Sequence, residues 1–91
     1  MIELGGNINL KGFDDLEPMQ MIVAKKIIGN YAKKVSDAKK NNLKTFTVIK
    51  NGQNIQIHIE LINGAIKVNA ENSNWFCALG QALLKSVEKT I

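Results

Sequence analysis

The segment from Ile55 to Leu61 alternates strictly between apolar and polar residues, and it constrains the fold more than any other part of the sequence. Its apolar positions are Ile55, Ile57, Ile59 and Leu61, and its polar positions are Gln56, His58 and Glu60. Because successive side chains of a strand point to opposite faces of a sheet, this pattern predicts a β-strand with one buried and one solvent-facing side. Sheets of this kind are mostly antiparallel and are covered on one face.

Tight turns on both sides of this strand predict its neighbours. Asn51-Gly52 precedes the strand and Asn63-Gly64 follows it, and Asn-Gly is a strong hairpin signal. The flanking segments 45–50 and 66–70 also alternate. Their apolar positions are Phe46 and Val48, and Ile66, Val68 and Ala70. We therefore expect three consecutive antiparallel strands.

A strand and a long helix are predicted ahead of these three strands. Residues 7–11 alternate after an irregular start at Gly5-Gly6. Residues 14–18 combine acidic side chains with a proline, which is typical of the first turn of a helix. From Pro18 to about Lys39, apolar residues recur at helical spacing. The predicted buried stripe is Val23, Ala24, Ile27, Ile28, Tyr31, Val35 and Ala38.

A second helix is predicted from about Asn74 to Thr90, with Ser73 or Asn74 as its N-cap. We expect Trp75 and Phe76 to close the core where the last strand joins this helix. The predicted buried stripe is Phe76, Leu79, Leu83 and Val87, with Gly80 and Leu84 alongside.

The element order is therefore β-α-β-β-β-α. It predicts an α+β fold: a two-layer sandwich with a mostly antiparallel four-stranded sheet and two helices packed on one face, similar in layout to double-stranded-RNA-binding domains. We expect residues 1–91 to form a single domain, because no repeat or linker divides them and 45% of the residues are hydrophobic.

Little in the sequence favours catalysis or a cofactor. His58 and Glu60 lie on the same polar strand face; such a pair can perform acid–base chemistry, but a solvated surface pair is commoner. Two ligands are too few for a structural metal site, and Gly5-Gly6-Asn7 lacks the helix and lysine of a phosphate-binding loop. We expect no enzyme activity, metal, cofactor or small-molecule substrate.

The single cysteine, Cys77, excludes an intramolecular disulfide, and its apolar neighbours predict a small buried residue rather than a reactive thiol. No signal peptide or membrane-spanning apolar run is visible. We therefore expect a cytoplasmic protein without a membrane partner.

Lysine supplies all twelve positive charges, and the net charge is +4. This balance mildly favours a nucleic-acid partner, although a bias toward Lys, Ile and Asn also follows from an A/T-rich genome. The candidates for RNA contact lie on or next to the predicted outer faces of the helices: Lys25, Lys26, Lys33, Lys34, Lys40, Lys85 and Lys89. The alternative is an ordinary solvated helix surface.

The segment 63–85 resembles the C-terminal half of the ribosome hibernation-promoting factors, also called protein Y or ribosome-associated inhibitor. The matching features are Asn63-Gly64, Ala70-Glu71, a short polar joint, Trp75, Phe76 and Ala78-Leu79. Lys26 followed by Ile27 is similar to a lysine–apolar pair in the first helix of that family, and Lys85 matches a lysine in its second helix. The family also shares the element order predicted above.

This resemblance to the short form of the family implies a non-enzymatic protein that binds ribosomal RNA on the small ribosomal subunit and regulates translation under stress. The sequence departs from the family at Glu88, where a matching arginine is expected, in a shorter Asn51-Gly52 hairpin, and in lacking a basic tail and a C-terminal dimerisation domain. The alternative is a protein-interaction or assembly module with the same fold. The oligomeric state stays open.

Overall fold

Two helices cover one face of a sheet in the structure, a computed structural model that describes residues 2–3, 8–39 and 43–90. The elements are β1 (Ile2–Glu3), β2 (Ile8–Lys11), α1 (Pro18–Lys39), β3 (Leu43–Asn51), β4 (Asn54–Leu61), β5 (Gly64–Glu71) and α2 (Trp75–Thr90). Apart from β1, they follow the predicted β-α-β-β-β-α order, so the α+β sandwich is confirmed. The two-residue strand β1 was not predicted.

The strands are arranged in the order β1-β2-β3-β4-β5. β2 and β3 pair in parallel, with α1 as the crossover between them, and the other neighbouring strands pair antiparallel. The register places one buried residue from each of β2 to β5 in a single row across the sheet: Leu10, Val48, Ile57 and Val68. The alternation of β4 therefore predicts its buried side correctly.

Helix α1 has the predicted bounds, but its buried side is rotated from the predicted stripe. Ala24, Ile28 and Val35 are buried as expected, and Ala32, which was not predicted, joins them. Val23 and Ala38 were predicted to be buried and are exposed. Ala24, Ile28 and Val35 mark the direction of the core, and Ala32, one turn after Ile28, lies on their side of the helix. Val23 lies on the other side, so the buried face is turned away from it.

Helix α2 is capped by Asn74, whose Oδ1 accepts a hydrogen bond from the backbone N–H of Phe76 at 2.9 Å. Its buried side is formed largely by small residues, which let the helix pack closely on β4 and β5. The buried residues are Ala78, Leu79, Ala82, Leu83 and Ser86. Ser86 tolerates burial because its hydroxyl donates to the carbonyl of Leu83 at 2.7 Å.

Two α2 residues lie outside the core, contrary to prediction. Cys77 is exposed, and Leu84 retains 52% of its accessible surface. Cys77 and Leu84 are apolar enough for a core. They are exposed because they lie on the side of α2 away from the buried Ala82 and Ser86. Phe76, also predicted in the stripe, is only half-buried.

Glycines shape two connections near the β3–β4 hairpin. Gly52 has a φ of +63° and Gln53 does not have a positive φ, as in a type II′ turn. Gly12 follows β2 with a φ of +79°, and a Cβ there would collide with the carbonyl oxygen of Lys50. The β4–β5 turn consists of Ile62 and Asn63, one residue earlier than predicted. The Gly5-Gly6-Asn7 segment lies outside the described residues.

Candidate nucleic-acid interface

Three of the lysines predicted on the first helix are exposed on the outer surface of α1. Lys26, Lys33 and Lys34 are exposed, and Lys25 is half-buried. The ammonium of Lys34 lies 5.1 Å from the centre of the Tyr31 ring, a cation–π distance. Lys40 lies outside the described residues.

An apolar patch occupies the first half of the same surface. Met19, Ile22 and Val23 retain 74%, 63% and 43% of their accessible surface. Their i, i+3, i+4 spacing places them side by side, and Lys26 continues the row. The outer face of α1 is therefore divided into an apolar N-terminal half and a basic C-terminal half. This division was not predicted from the sequence, because the apolar pattern assigned Val23 to the core.

The lysines of α2 lie beside β5, the last strand of the sheet. The Lys85 ammonium donates a hydrogen bond to the carbonyl oxygen of Asn69 at 3.1 Å. Lys67, Lys85 and Lys89 line one cleft together with Val68 and Asn69. We call these three lysines the β5-edge cluster. Lys67 is paired with His58 and lies on the polar face of the sheet, as the alternation of β5 indicates. The sequence gives no sign that it meets Lys85 and Lys89, because α2 and the edge strand come together only in the folded chain.

The His58–Glu60 pair, which the sequence favours as a solvated pair and not as a catalytic one, lies on the polar face of the sheet, opposite the helices. The carboxylate of Glu60 lies 3.7 Å from the ammonium of Lys44, in an exposed ion pair. Among the described residues, no group of three or more His, Cys, Asp or Glu side chains is placed to hold a metal ion. In the same part of the chain, no helix has the length and apolar character needed to cross a membrane.

Three aromatic rings meet where β5 joins α2, as predicted for Trp75 and Phe76. Trp75 packs edge-to-face against Phe13, with ring centres 6.3 Å apart, and against Phe76 at 5.4 Å. Phe13 is buried and Trp75 is half-buried against the core. The ammonium of Lys50 lies 5.5 Å from the centre of the Trp75 ring. This corner therefore combines a closed core edge with exposed polar groups and a half-buried cation.

Comparison with known proteins supports the fold. No protein-family model matches the sequence, and no curated protein matches it. The N-terminal domain of Thermus thermophilus protein Y superimposes with a TM-score of 0.64 at 10% identity, over 91% of each chain. This chain has the fold of that protein Y domain. A ribosomal subunit interface protein from Coxiella burnetii gives a TM-score of 0.60 at 14% identity, over 93% of each chain.

The resemblance drawn from the segment 63–85 is thus confirmed at the level of the fold. Lys26 and Lys85 match lysines of the protein Y family in the sequence, and Glu88 departs from it. All three are exposed on the helices. None of them is required by the core, so their chemistry is available for contact with a partner.

Proposed function

We propose that this chain is a non-enzymatic, cytoplasmic RNA-binding protein that associates with the small ribosomal subunit and modulates translation or ribosome hibernation. The observation that carries the proposal is the fold likeness over 93% of the chain to a protein named as a ribosomal subunit interface protein. The likeness to the protein Y domain supports the same function, because the segment 63–85 and the lysines of both helices resemble that family.

The distribution of lysines supports contact with the RNA backbone. The proposed contacts are Lys25, Lys26, Lys33, Lys34, Lys40, Lys85 and Lys89, and the cleft at the β5 edge adds Lys67. A lysine ammonium acts as a compact charge on phosphate and does not read base edges in the bidentate manner of arginine. These surfaces therefore suit an RNA recognised by its shape and phosphate positions.

Sedimentation with purified ribosomal subunits tests this function. We expect the chain to sediment with small subunits at low salt and to leave them as salt rises, because each lysine–phosphate contact releases counterions. Five such contacts, out of the eight lysines proposed, correspond to a slope between about −3.5 and −4.5 in a plot of log affinity against log salt. Large subunits provide the control. A chain that stays in the ribosome-free fractions at the lowest salt would refute ribosome association.

The second candidate function is protein interaction, and the apolar patch of Met19, Ile22 and Val23 favours it. Ile62, at the β4–β5 turn, is also 65% exposed. Exposed apolar patches mark protein contacts when they are large, but three side chains cover far less than the roughly 800 Å² per partner of a stable interface.

Light scattering over a range of protein concentrations separates the two functions. We expect a constant monomer mass, because the patch is too small to hold two copies together. A mass that rises toward a dimer, and that returns to the monomer in the Ile22→Ser variant, would instead assign this patch to self-association.

A further inference from the structure

We propose that the corner where β5 joins α2 binds one unstacked nucleobase of single-stranded RNA, with Phe76 as its stacking surface and Trp75 as the ring that supports Phe76. The proposal rests on the RNA-binding function proposed above and adds the chemical group that is recognised. Side chains from three separate parts of the chain form the site, and the lysine surfaces do not include it.

The corner contains a cleft of about 500 Å³. This volume falls within the range of roughly 300–1,000 Å³ that is typical of small-ligand sites. The first turn of α1, the β3–β4 hairpin and the N-terminus of α2 form its walls. Its lining residues are Gln20, Gln53, Ser73, Asn74, Trp75 and Phe76.

The aromatic pair in this cleft is held in place by its neighbours but is not fully buried in the core. Trp75 is fixed by the edge-to-face contact with Phe13, at an interplanar angle of 80°. Phe76 packs on Trp75 at 71° and is half-buried, yet it is not part of the set that packs against the buried core. Bases stack on such rings with little sequence preference, since every base has a π-face.

Three amide side chains around the rings are oriented by hydrogen bonds that use only one half of each amide. The bonds are Glu17 N–H to Gln20 Oε1 at 3.2 Å, Gln53 Nε2 to the Ser73 carbonyl at 2.9 Å, and Phe76 N–H to Asn74 Oδ1 at 2.9 Å. The other halves, Gln20 Nε2, Gln53 Oε1 and Asn74 Nδ2, make no hydrogen bond to another described residue. They present donors and an acceptor in fixed positions, which complement the edge of a nucleobase.

A cation lies next to the cleft. The Lys50 ammonium covers one face of the Trp75 ring and lines the neighbouring cleft with Asp14 and Asp15. It therefore leaves Phe76 as the stacking surface and adds a positive charge beside it that attracts the phosphate of the same nucleotide. The stacking surface, the oriented amides and the adjacent ammonium match the face of a base, the edge of that base and the phosphate of the same nucleotide.

Trp75 is the only tryptophan in the chain, so its fluorescence reports directly on this corner. The test titrates the whole protein with a seven-nucleotide single-stranded RNA, about seven nucleotides being within the usual site size of such binders. A matched oligomer of equal length and charge lacks the bases. We expect RNA to quench Trp75 fluorescence and to bind about 5- to 150-fold more tightly than the abasic oligomer, the range for one stacked base.

The Phe76→Leu variant removes the ring and keeps an apolar side chain of similar length. We expect it to lose most of this preference for RNA while its affinity for the abasic oligomer is unchanged. Cys77→Ser, a change at the next residue on the exposed side of α2, should behave as the parent. Thermal melts of each variant confirm that folding is retained.

Two results would overturn the inference, and they differ. If RNA and the abasic oligomer bind equally without quenching, the base site is wrong while the RNA-binding function stands. If neither oligomer binds and the chain also fails to sediment with small subunits, the proposed function fails and the base site fails with it.

Discussion

Replacing Gly12 with Ala is expected to destabilise the fold by about 3 kcal/mol, since backbone strain and a collision act together. The φ of +79° disfavours any residue with a Cβ, and that Cβ would meet the backbone carbonyl of Lys50, which cannot rotate away. The loss matters beyond stability, because the same close approach brings Phe13 and the end of β3 to the corner where Lys50 lies over Trp75.

Two other glycines supply matched controls for the same chemical change. At Gly52 the φ is +63° but an added Cβ meets nothing within 4 Å, so Gly52→Ala should cost only the strain, about 1 kcal/mol. At Gly29, inside α1, neither strain nor collision applies, and Gly29→Ala should stabilise the fold by about 0.5–1 kcal/mol.

Urea denaturation followed by Trp75 fluorescence measures all three variants. The expected order of stability is Gly29→Ala above the parent, then Gly52→Ala, then Gly12→Ala. A Gly12→Ala variant as stable as the parent would mean that the loop after β2 does not approach β3 as the structure describes.

The sequence predicts the strands well where the alternation is long, and poorly where it is short. Seven residues from Ile55 to Leu61 determine which face of β4 is buried, because a shift of one residue would expose every isoleucine. β1 contains two residues and is stabilised by pairing with β2, as in Ile2 opposite Leu10. No periodicity exists in two residues, so such a strand cannot be inferred from the pattern.

The buried sides of the helices are predicted less accurately. A prediction from hydrophobicity assigns large apolar residues to the core and overlooks small ones. Leu84 was predicted alongside the buried stripe of α2 and Ser86 was not, yet Ser86 is buried and Leu84 is exposed. Close packing of α2 on the sheet requires small residues at the contact, and a hydroxyl bonded to Leu83 is tolerated there. Leu84 and Ser86 lie on different sides of α2, so the choice between them depends on how the helix is rotated about its axis when it packs on the sheet.

The candidate sites are likewise predicted only in part. The sequence identifies the lysines of each helix, because helical spacing alone places them outside. It does not identify the β5-edge cluster, since Lys67 and Lys85 come together only when α2 packs over the edge strand. The corner cleft likewise joins Gln20, Gln53 and Phe76, which are far apart in the sequence.

The largest functional effect is expected from reversing the charge of two α1 lysines. The Lys26→Glu/Lys33→Glu variant should bind small subunits more than about tenfold more weakly and should lower the salt slope by about 2, one unit for each lost phosphate contact. Both side chains are exposed, so the free energy of unfolding should change by less than about 0.5 kcal/mol for each substitution. Binding isotherms and thermal melts on the same preparations measure both quantities.

The matched control, Lys11→Glu/Lys44→Glu, makes the same change in net charge, from +4 to zero, at residues away from the outer surface of the helices. Lys11 lies on the polar face of the sheet, and Lys44 forms the exposed ion pair with Glu60, which contributes less than about 1 kcal/mol. We expect this control to bind nearly as tightly as the parent. Equal weakening of both variants would show that overall charge, and not the α1 surface, determines binding.

A third double variant, Lys67→Glu/Lys85→Glu, tests the β5-edge cluster. The sequence alone predicts little effect from Lys67, because it lies on the polar side of a strand. The structure groups Lys67 with Lys85 and Lys89 in one cleft, so we expect the double reversal to weaken binding more than Lys85→Glu alone. If only the α1 variant binds weakly, the RNA follows α1 alone. If both variants bind weakly and the control does not, the phosphate path extends from α1 across α2 to the edge of the sheet.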